Sequence, residues 1–375
     1  MIACLKYAMQ SRNRQQKPFQ EDEDMKAFRW YGEPGRLKLE DIPIPSVGQN
    51  DVLIRVKAAG ICGSDLHFKH ARVKVDPNSA LAHRLPLTLG HEIAGVVHKV
   101  GSNVKGLVEG DRVSINYKIS DGNCKYCNRG LDNLCASGGA LGGPGGDGGF
   151  AEYVVVPARN ALVLPRQIPM DQGAIIACAV ATSYHAVTKA GGLRSGDSVA
   201  VFGVGGVGMH AVEWASALGA SEVIAVDIVE DKLKLAKQFG ATETVNARSE
   251  DPVKAILDVT NGEGADIALD CAGVKAISFE RAIASTAKAG RTVVVANVFE
   301  NVSFDVKSIL FKETMIATSC DHTLDDHRRV ISLVASGKID LAKSITHRIP
   351  FEKINEGIDL LDEQKGNVIR IVAEL

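Results

Sequence analysis

The stretch that most constrains what this chain can fold into is Gly203-Val204-Gly205-Gly206-Val207-Gly208. An apolar run, Ser198 to Phe202, leads into it and a helical pattern leaves it. Glycines 203, 205 and 208 make a Gly-x-Gly-x-x-Gly turn in the strand-to-helix context that dinucleotide binding requires, with Gly206 and Val207 between them. The helix start then presents unpaired N–H groups and the positive end of its dipole to a pyrophosphate. The competing reading is a tightly packed βαβ unit that binds nothing. Against it, the next apolar run ends at Asp227, 24 positions beyond Gly203, close to the spacing of roughly 20 expected of a ribose-binding acid. A carboxylate there accepts hydrogen bonds from both ribose hydroxyls and repels a 2′-phosphate, which favours NAD over NADP.

Strand-like runs at Ser198–Phe202, 222–226, 266–270 and 291–296 alternate with helical stretches at 207–218 and 230–239. This is the pattern of βαβ units, hence a doubly wound, mostly parallel sheet of Rossmann type. From Met25 to about Pro165 the texture differs: short alternating segments such as 51–56 and 151–156, broken by Gly and Pro, predict a strand-rich, barrel-like domain. After about Cys320 a helix near 325–336 and a terminal strand at 367–372 are expected to pack back on that first domain. The fold class is therefore α/β, with two domains. Gly138 to Gly149 holds eight glycines in twelve positions, and predicts a flexible or tightly turning connector rather than a substrate lid.

Two groups of metal-ligating residues precede the glycine turn. Cys124, Cys127 and Cys135 place three thiolates within one loop, and the three-residue step backwards from Cys124 lands on Asp121, completing a closed set of four for a structural zinc. Free thiols or a redox Cys-x-x-Cys pair are the alternatives. The second group is dispersed. Cys62 and His91 have neighbours suited to support a metal site, Asp65 for the second imidazole nitrogen of His91 and Glu92 beside the ligand. A third ligand must come from elsewhere, and Cys178 stands at the junction of the two domains. Three protein ligands leave a fourth position open for substrate. Cys4, Cys271, Cys320 and the remaining histidines show no such grouping and read as bystanders.

A net charge of -2 and an aromatic content of 5% offer neither a basic stripe nor stacking platforms for nucleic acid. No apolar run approaches the roughly 20 residues that span a bilayer, so no membrane association is expected. Eight scattered cysteines without a secretory h-region fit reduced thiols in a cytoplasmic compartment. Residues 1–24 carry Lys6, Arg12, Arg14 and Lys17 ahead of an acidic run, with little amphipathic pattern, and are expected to form a disordered extension rather than a transit peptide.

At Cys62-x-Ser64-Asp65-x-His67, Gly90-His91-Glu92, the four-ligand lobe, Gly110-Asp111-Arg112-Val113, the glycine turn and Asp227, taken in that order, the chain resembles the zinc-dependent medium-chain alcohol dehydrogenases. The resemblance runs from Met25 to the C-terminus. It implies a GroES-like catalytic domain formed by residues 25–178 and 321–375, with the Rossmann domain at 179–320 between them. It implies a catalytic zinc on Cys62, His91 and Cys178, a proton relay through Ser64 and His67, and Thr182 near the nicotinamide. Lys232 matches a ribose contact and Arg370 a pyrophosphate contact. The implied activity is hydride transfer between NAD and a primary or secondary alcohol, or the aldehyde or ketone in reverse, by a homodimer or homotetramer with two zinc ions per chain. A polyol or sugar dehydrogenase of the same fold is the rival, against which Cys178 speaks, since polyol members commonly use a Glu there. A non-catalytic cofactor-binding descendant is the other, against which Ser64, His67 and Cys62 speak. Three departures stand out: Gly63 where some members carry Arg or His, Asp121 in place of a lobe cysteine, and a long stretch from Phe68 to Gly90.

Overall fold

The computed structural model describes residues 24–273, 275–363 and 368–375. Nearly all of the expected N-terminal extension, with Cys4, lies outside the described residues, but Asp24 does not. It opens the strand Asp24–Trp30, paired antiparallel with Lys38–Pro43, where Met25, Ala27 and Trp30 turn into the core.

The glycine turn sits in a six-stranded parallel sheet, ordered Glu243–Asn246, Glu222–Asp227, Ser198–Phe202, Ala265–Asp270, Thr286–Val294 and Met315–Thr318. Ser198–Phe202 is buried along its whole length, as expected of a strand covered by helices on both faces. Chain order reverses between it and Ala265–Asp270, and a crevice opens at the carboxyl ends of strands at such a switch point. The helix Gly206–Ala217 starts there. Trp214, fully buried, anchors that helix by donating its indole N–H to the Val180 carbonyl at 2.9 Å.

The other large sheet has seven strands. Asp51–Ile61 lies at its centre, flanked by Glu92–Val100 and Arg370–Glu374, and also pairs with Tyr153–Pro157. The terminal strand begins at Arg370, later than the sequence pattern suggests, and Asn367 lies outside the described residues. Ile371 pairs with Ile61, which sets Arg370 beside the turn that carries Cys62.

Between the sheets runs Met170–Ala190, continuously helical but widened into π-helical turns at Ile176–Val180 and Ala186–Ala190. Its small and branched apolar residues are buried on every side, the mark of a helix inside a core. Cys178 lies within the first widened turn, a kind of irregularity that recurs at functional sites.

Gly138–Gly149 is the tightly turning alternative, not a flexible lid. Gly148 and Gly149 donate to the carbonyls of Thr88 and Gly90 at 2.8 and 2.7 Å, and a Cβ on Gly148 would collide with the Gly90 carbonyl. The segment braces the chain just before His91.

Candidate active site

Cys62 follows directly on the central strand Asp51–Ile61, and His91 immediately precedes the strand Glu92–Val100 beside it, where Gly60 pairs with Glu92. Sheet register therefore brings together two residues 29 positions apart in the chain, and the widened helical turn adds Cys178. One ligand atom from each of Cys62, His91, Cys178 and Glu92 lies within 4.8 Å of all the others, a span that an ion bonding at about 2.0–2.3 Å can draw together.

The charge balance calls for a cation. Hydrogen bonding from Cys178 and the nearby His91 and Arg370 pull the Cys62 thiol well down, whereas the bond to Cys62 and burial push the Cys178 thiol up. The two thiols are thus unequal, Cys62 eased towards thiolate and Cys178 held as thiol. Burial raises the Glu92 carboxyl to about 8 and that of Asp65 to about 6. Burial works against protonated His91, yet the hydrogen bond to Cys62 and the charges of Cys62, Asp65 and Glu92 hold its proton to about 9. A buried site that keeps an imidazolium in place by surrounding it with sulfur and carboxylate fits a divalent metal with soft ligands.

The supporting residues divide their tasks differently from the sequence expectation. Asp65 does not hydrogen-bond to His91: its Oδ1 lies 4.0 Å from Nδ1, an ion-pair distance. Its Oδ2 accepts the Cys62 N–H at 2.8 Å, so it holds the turn first. Ser64 Oγ lies 3.5 Å from His91 Nε2. His67 Nδ1 is buried without a hydrogen-bond partner, and its ring meets the edge of Phe299 at 5.2 Å. Glu92 forms an ion pair with Arg370, Oε1 to Nη1 at 3.2 Å.

Arg370 reaches from this cluster to the glycine turn. It is 2% exposed, not the solvated cation its residue type suggests, and a Cβ on Gly206 would come within 2.6 Å of its Cζ. Its Nε and Nη2 are buried without hydrogen-bond partners, each 2.9 Å from where a Cβ on Gly206 would stand, so two donors lie against the glycine turn. Gly203 has φ +82°, where a Cβ would lie 2.5 Å from Ala272 Cα, whereas a Cβ on Gly205 would enter open space. The turn thus leaves its helix start accessible where a pyrophosphate would lie, and the donor set fits one. Asp227 Oδ2 accepts the Val204 N–H at 2.9 Å and Oδ1 those of Ile228 and Val229 at 2.7 and 2.9 Å. The same carboxylate therefore shapes the turn and borders the cleft. Lys232 stands on the first turn of the next helix, Glu230–Gln238. Thr182 Oγ1 lies 3.3 Å from His322 Nδ1.

Asp121, Cys124, Cys127 and Cys135 form the second group, their ligand atoms likewise within 4.8 Å of one another. Asp121 Oδ1 accepts the N–H groups of Asn123 and Cys124 at 2.7 and 3.0 Å, which holds its carboxyl below the usual range. Hydrogen bonds from the backbone of Cys127 and Ala136 lower the Cys124 thiol to about 7. A thiol eased towards thiolate beside an ionised carboxylate fits a structural zinc.

Three contributors escape a reading of the sequence. Tyr117 packs its ring 4.8 Å from that of His91, Phe299 covers His67, and His322, expected to be a bystander, meets Thr182. Each arrives through tertiary contact, and nothing local in the chain marks it.

Comparison with known proteins identifies the family. The family model "Alcohol dehydrogenase GroES-like domain" matches residues 48–166, and "Zinc-binding dehydrogenase" matches residues 206–336. The chain is 36% identical over 344 residues to an NAD-dependent alcohol dehydrogenase of Sulfurisphaera tokodaii, covering 91% of this chain and 98% of the relative. It is 37% identical over 358 residues to an L-threonine 3-dehydrogenase of Bacillus licheniformis, covering 93% and 99%. The crystal structure of 2R,3R-butanediol dehydrogenase from Bacillus subtilis superposes with a TM-score of 0.84 at 31% identity, covering 94% of this chain and 99% of that one. The chain belongs to the zinc-dependent medium-chain alcohol dehydrogenase family.

Proposed function

We propose that this protein oxidises a primary or secondary alcohol with NAD, and reduces the corresponding aldehyde or ketone in reverse, at a site built on Cys62, His91 and Cys178. The observation that carries the reading is Arg370, whose buried guanidinium spans the distance between Glu92, beside the metal ligands, and Gly206 of the dinucleotide turn. One side chain ties the two chemistries together. When bound, the zinc ion supplies Lewis acidity towards the substrate oxygen and NAD supplies the hydride acceptor.

The residues of the chain then have distinct work. Cys62, His91 and Cys178 hold the metal, Asp65 fixes the Cys62 turn, and Glu92 positions Arg370. Ser64 Oγ, which can both donate and accept, takes the substrate hydroxyl proton and passes it towards His67. Burial lowers the pKa of His67, so the ring is neutral and able to accept near neutral pH. Phe299 shields the ring from water. Gly203, Gly205, Gly206, Val207 and Gly208 admit the pyrophosphate, Arg370 donates to it, Asp227 and Lys232 take the adenosine ribose, and Thr182 borders the nicotinamide. Asp121, Cys124, Cys127 and Cys135 hold a second, structural zinc. Residues 25–178 and 321–375 act as the catalytic domain around a nucleotide domain at 179–320.

The assembly is proposed to be a homo-oligomer. Met315–Thr318 is an edge strand, and exposed Leu310, Phe311 and Met315 lie on or just before it, an apolar edge that a second copy would cover. Among the described residues no helix is long and apolar enough to cross a membrane, and the thiol-rich sites suit the reducing cytoplasm. The deciding experiment is NAD reduction across short, branched, aromatic and polyhydroxy alcohols, before and after chelation and in Cys178→Ser. Turnover that is lost in both is expected; turnover that survives both rules out the metal site.

A further inference from the structure

His210 is a fully buried histidine that the chemistry above does not use. It lies on the helix Gly206–Ala217, one turn beyond Gly206. Its Nδ1 stands 2.7 Å from the Gly206 carbonyl oxygen and its Nε2 3.0 Å from Ser344 Oγ. A carbonyl only accepts, so Nδ1 carries the ring hydrogen and Nε2 accepts the hydroxyl hydrogen of Ser344. Burial and the charge of Arg370 lower the pKa of the ring to about 3, so the imidazole is neutral and this pair of bonds is its fixed arrangement.

Ser344 belongs to the segment that frames Arg370. Ile345, next in the chain, opens the strand Ile345–Pro350 and pairs in parallel with Arg370, and Thr346 Oγ1 donates to the Arg370 carbonyl at 3.1 Å. Lys343, on the other side of Ser344, reaches the same helix: its Nζ lies 2.9 Å from Oε1 of buried Glu213 and 4.3 Å from the centre of the Phe239 ring. Two consecutive residues thus grip the helix at positions 210 and 213, which share one face, and so fix both its height and its rotation.

These contacts close into a ring. From the Gly206 carbonyl they run through the imidazole to Ser344, along the backbone to Ile345, across the strand pair to Arg370, and back through the guanidinium, whose Cζ would lie 2.6 Å from a Cβ on Gly206. A small shift of the helix against Arg370 would either press the guanidinium into the turn or draw its donors away, and hydrogen bonds weaken steeply with such displacement.

We propose that His210 and Ser344 are positioning residues for the cofactor: they hold Gly206 and Arg370 at the spacing at which the helix start and the guanidinium bind one diphosphate together. The inference rests on the NAD-binding reading and deepens it. Neither residue needs to touch the nucleotide.

The test measures dissociation constants of NAD, ADP-ribose and adenosine for the zinc-loaded full chain, by tryptophan fluorescence and competition. Ser344→Ala removes the donor to His210 and is expected to weaken NAD and ADP-ribose about tenfold, the scale of one hydrogen bond to a charged group, while adenosine, which lacks the diphosphate, changes by less than about twofold. Lys343→Met, at a partly exposed position, should give the same pattern more weakly, and keeps the test decisive if Ser344→Ala does not fold. Arg370→Lys supplies the coupling: with the guanidinium fork gone, adding Ser344→Ala should weaken ADP-ribose little further. Equal losses for ADP-ribose and adenosine would mean a merely structural role and overturn the proposal, as would unchanged ADP-ribose affinity or additive losses in the double variant; in each case the NAD-binding reading survives. A wild type that binds neither NAD nor ADP-ribose refutes that reading, and the proposal with it.

Discussion

Gly205 and Gly208 stand three residues apart in one turn, yet the structure assigns them separable roles. Alanine at 208 would force its Cβ into the Gly203 carbonyl oxygen and to 3.2 Å from Cys271 Cβ. Backbone lies on the colliding side, so no rotamer change relieves the contact. Overpacking of this kind costs about 1–3 kcal/mol, and more where backbone must move. The better helix propensity of alanine offsets about 1 kcal/mol. Gly208→Ala is therefore expected to lose about 2 kcal/mol or more with no cofactor present. Gly205 meets nothing within 4 Å, and its φ of -74° and ψ of -159° are open to any residue. Gly205→Ala should keep stability within about 1 kcal/mol, the cost of a poorer N-cap. Its methyl group enters the space over the helix start, however, so NAD affinity should fall at least about tenfold, or about 1.4 kcal/mol. Urea unfolding of the cofactor-free proteins and NAD titration by tryptophan fluorescence measure the two effects separately. The reasoning is refuted if Gly205→Ala unfolds as readily as Gly208→Ala, or binds NAD as the wild type does.

Asp227→Asn removes charge beside the ribose and one of the two acceptor oxygens used by the turn, so the NADP to NAD ratio of kcat/KM should rise about tenfold, with about 1 kcal/mol lost in urea unfolding; an unchanged ratio would free Asp227 of cofactor discrimination. Elemental analysis should find about two zinc ions per chain and about one in Asp121→Ala; two in the variant would mean that the cysteines suffice. Stability should depend on pH in opposite senses with and without metal. In the metal-free protein His91 is raised from 6.5 to about 9 and Glu92 from 4.5 to about 8. Both bind protons more tightly when folded, so their stabilisation is complete below the lower values and is lost as pH rises through about 8 and 9. Zinc would replace the protons held by its ligands His91 and Cys178, both raised in the metal-free site, and so binds better as pH rises. The gain in melting temperature on adding zinc should therefore widen between pH 6 and 9, and a gain independent of pH would refute the charge balance.

The sequence by itself determined whatever depends on local order. Ser198–Phe202 followed by three spaced glycines can only be a buried strand feeding a helix start, and the lobe residues from Asp121 to Cys135 are close enough in the chain to be grouped by spacing. Helix and strand patterns from 198 to 270 were legible because periodicity and burial are properties of neighbouring residues. Tertiary structure decided what depends on distant strands meeting. Register between the central strands brought Cys62 to His91, a widened helical turn brought Cys178, and the terminal strand buried Arg370, a residue whose type alone suggests a solvated surface. It also moved Asp65 from the imidazole to the Cys62 amide, a matter of about an ångström that no spacing encodes. Tyr117, Phe299 and His322 were invisible beforehand for the same reason: the partner that each meets lies elsewhere in the chain, and only packing makes them neighbours.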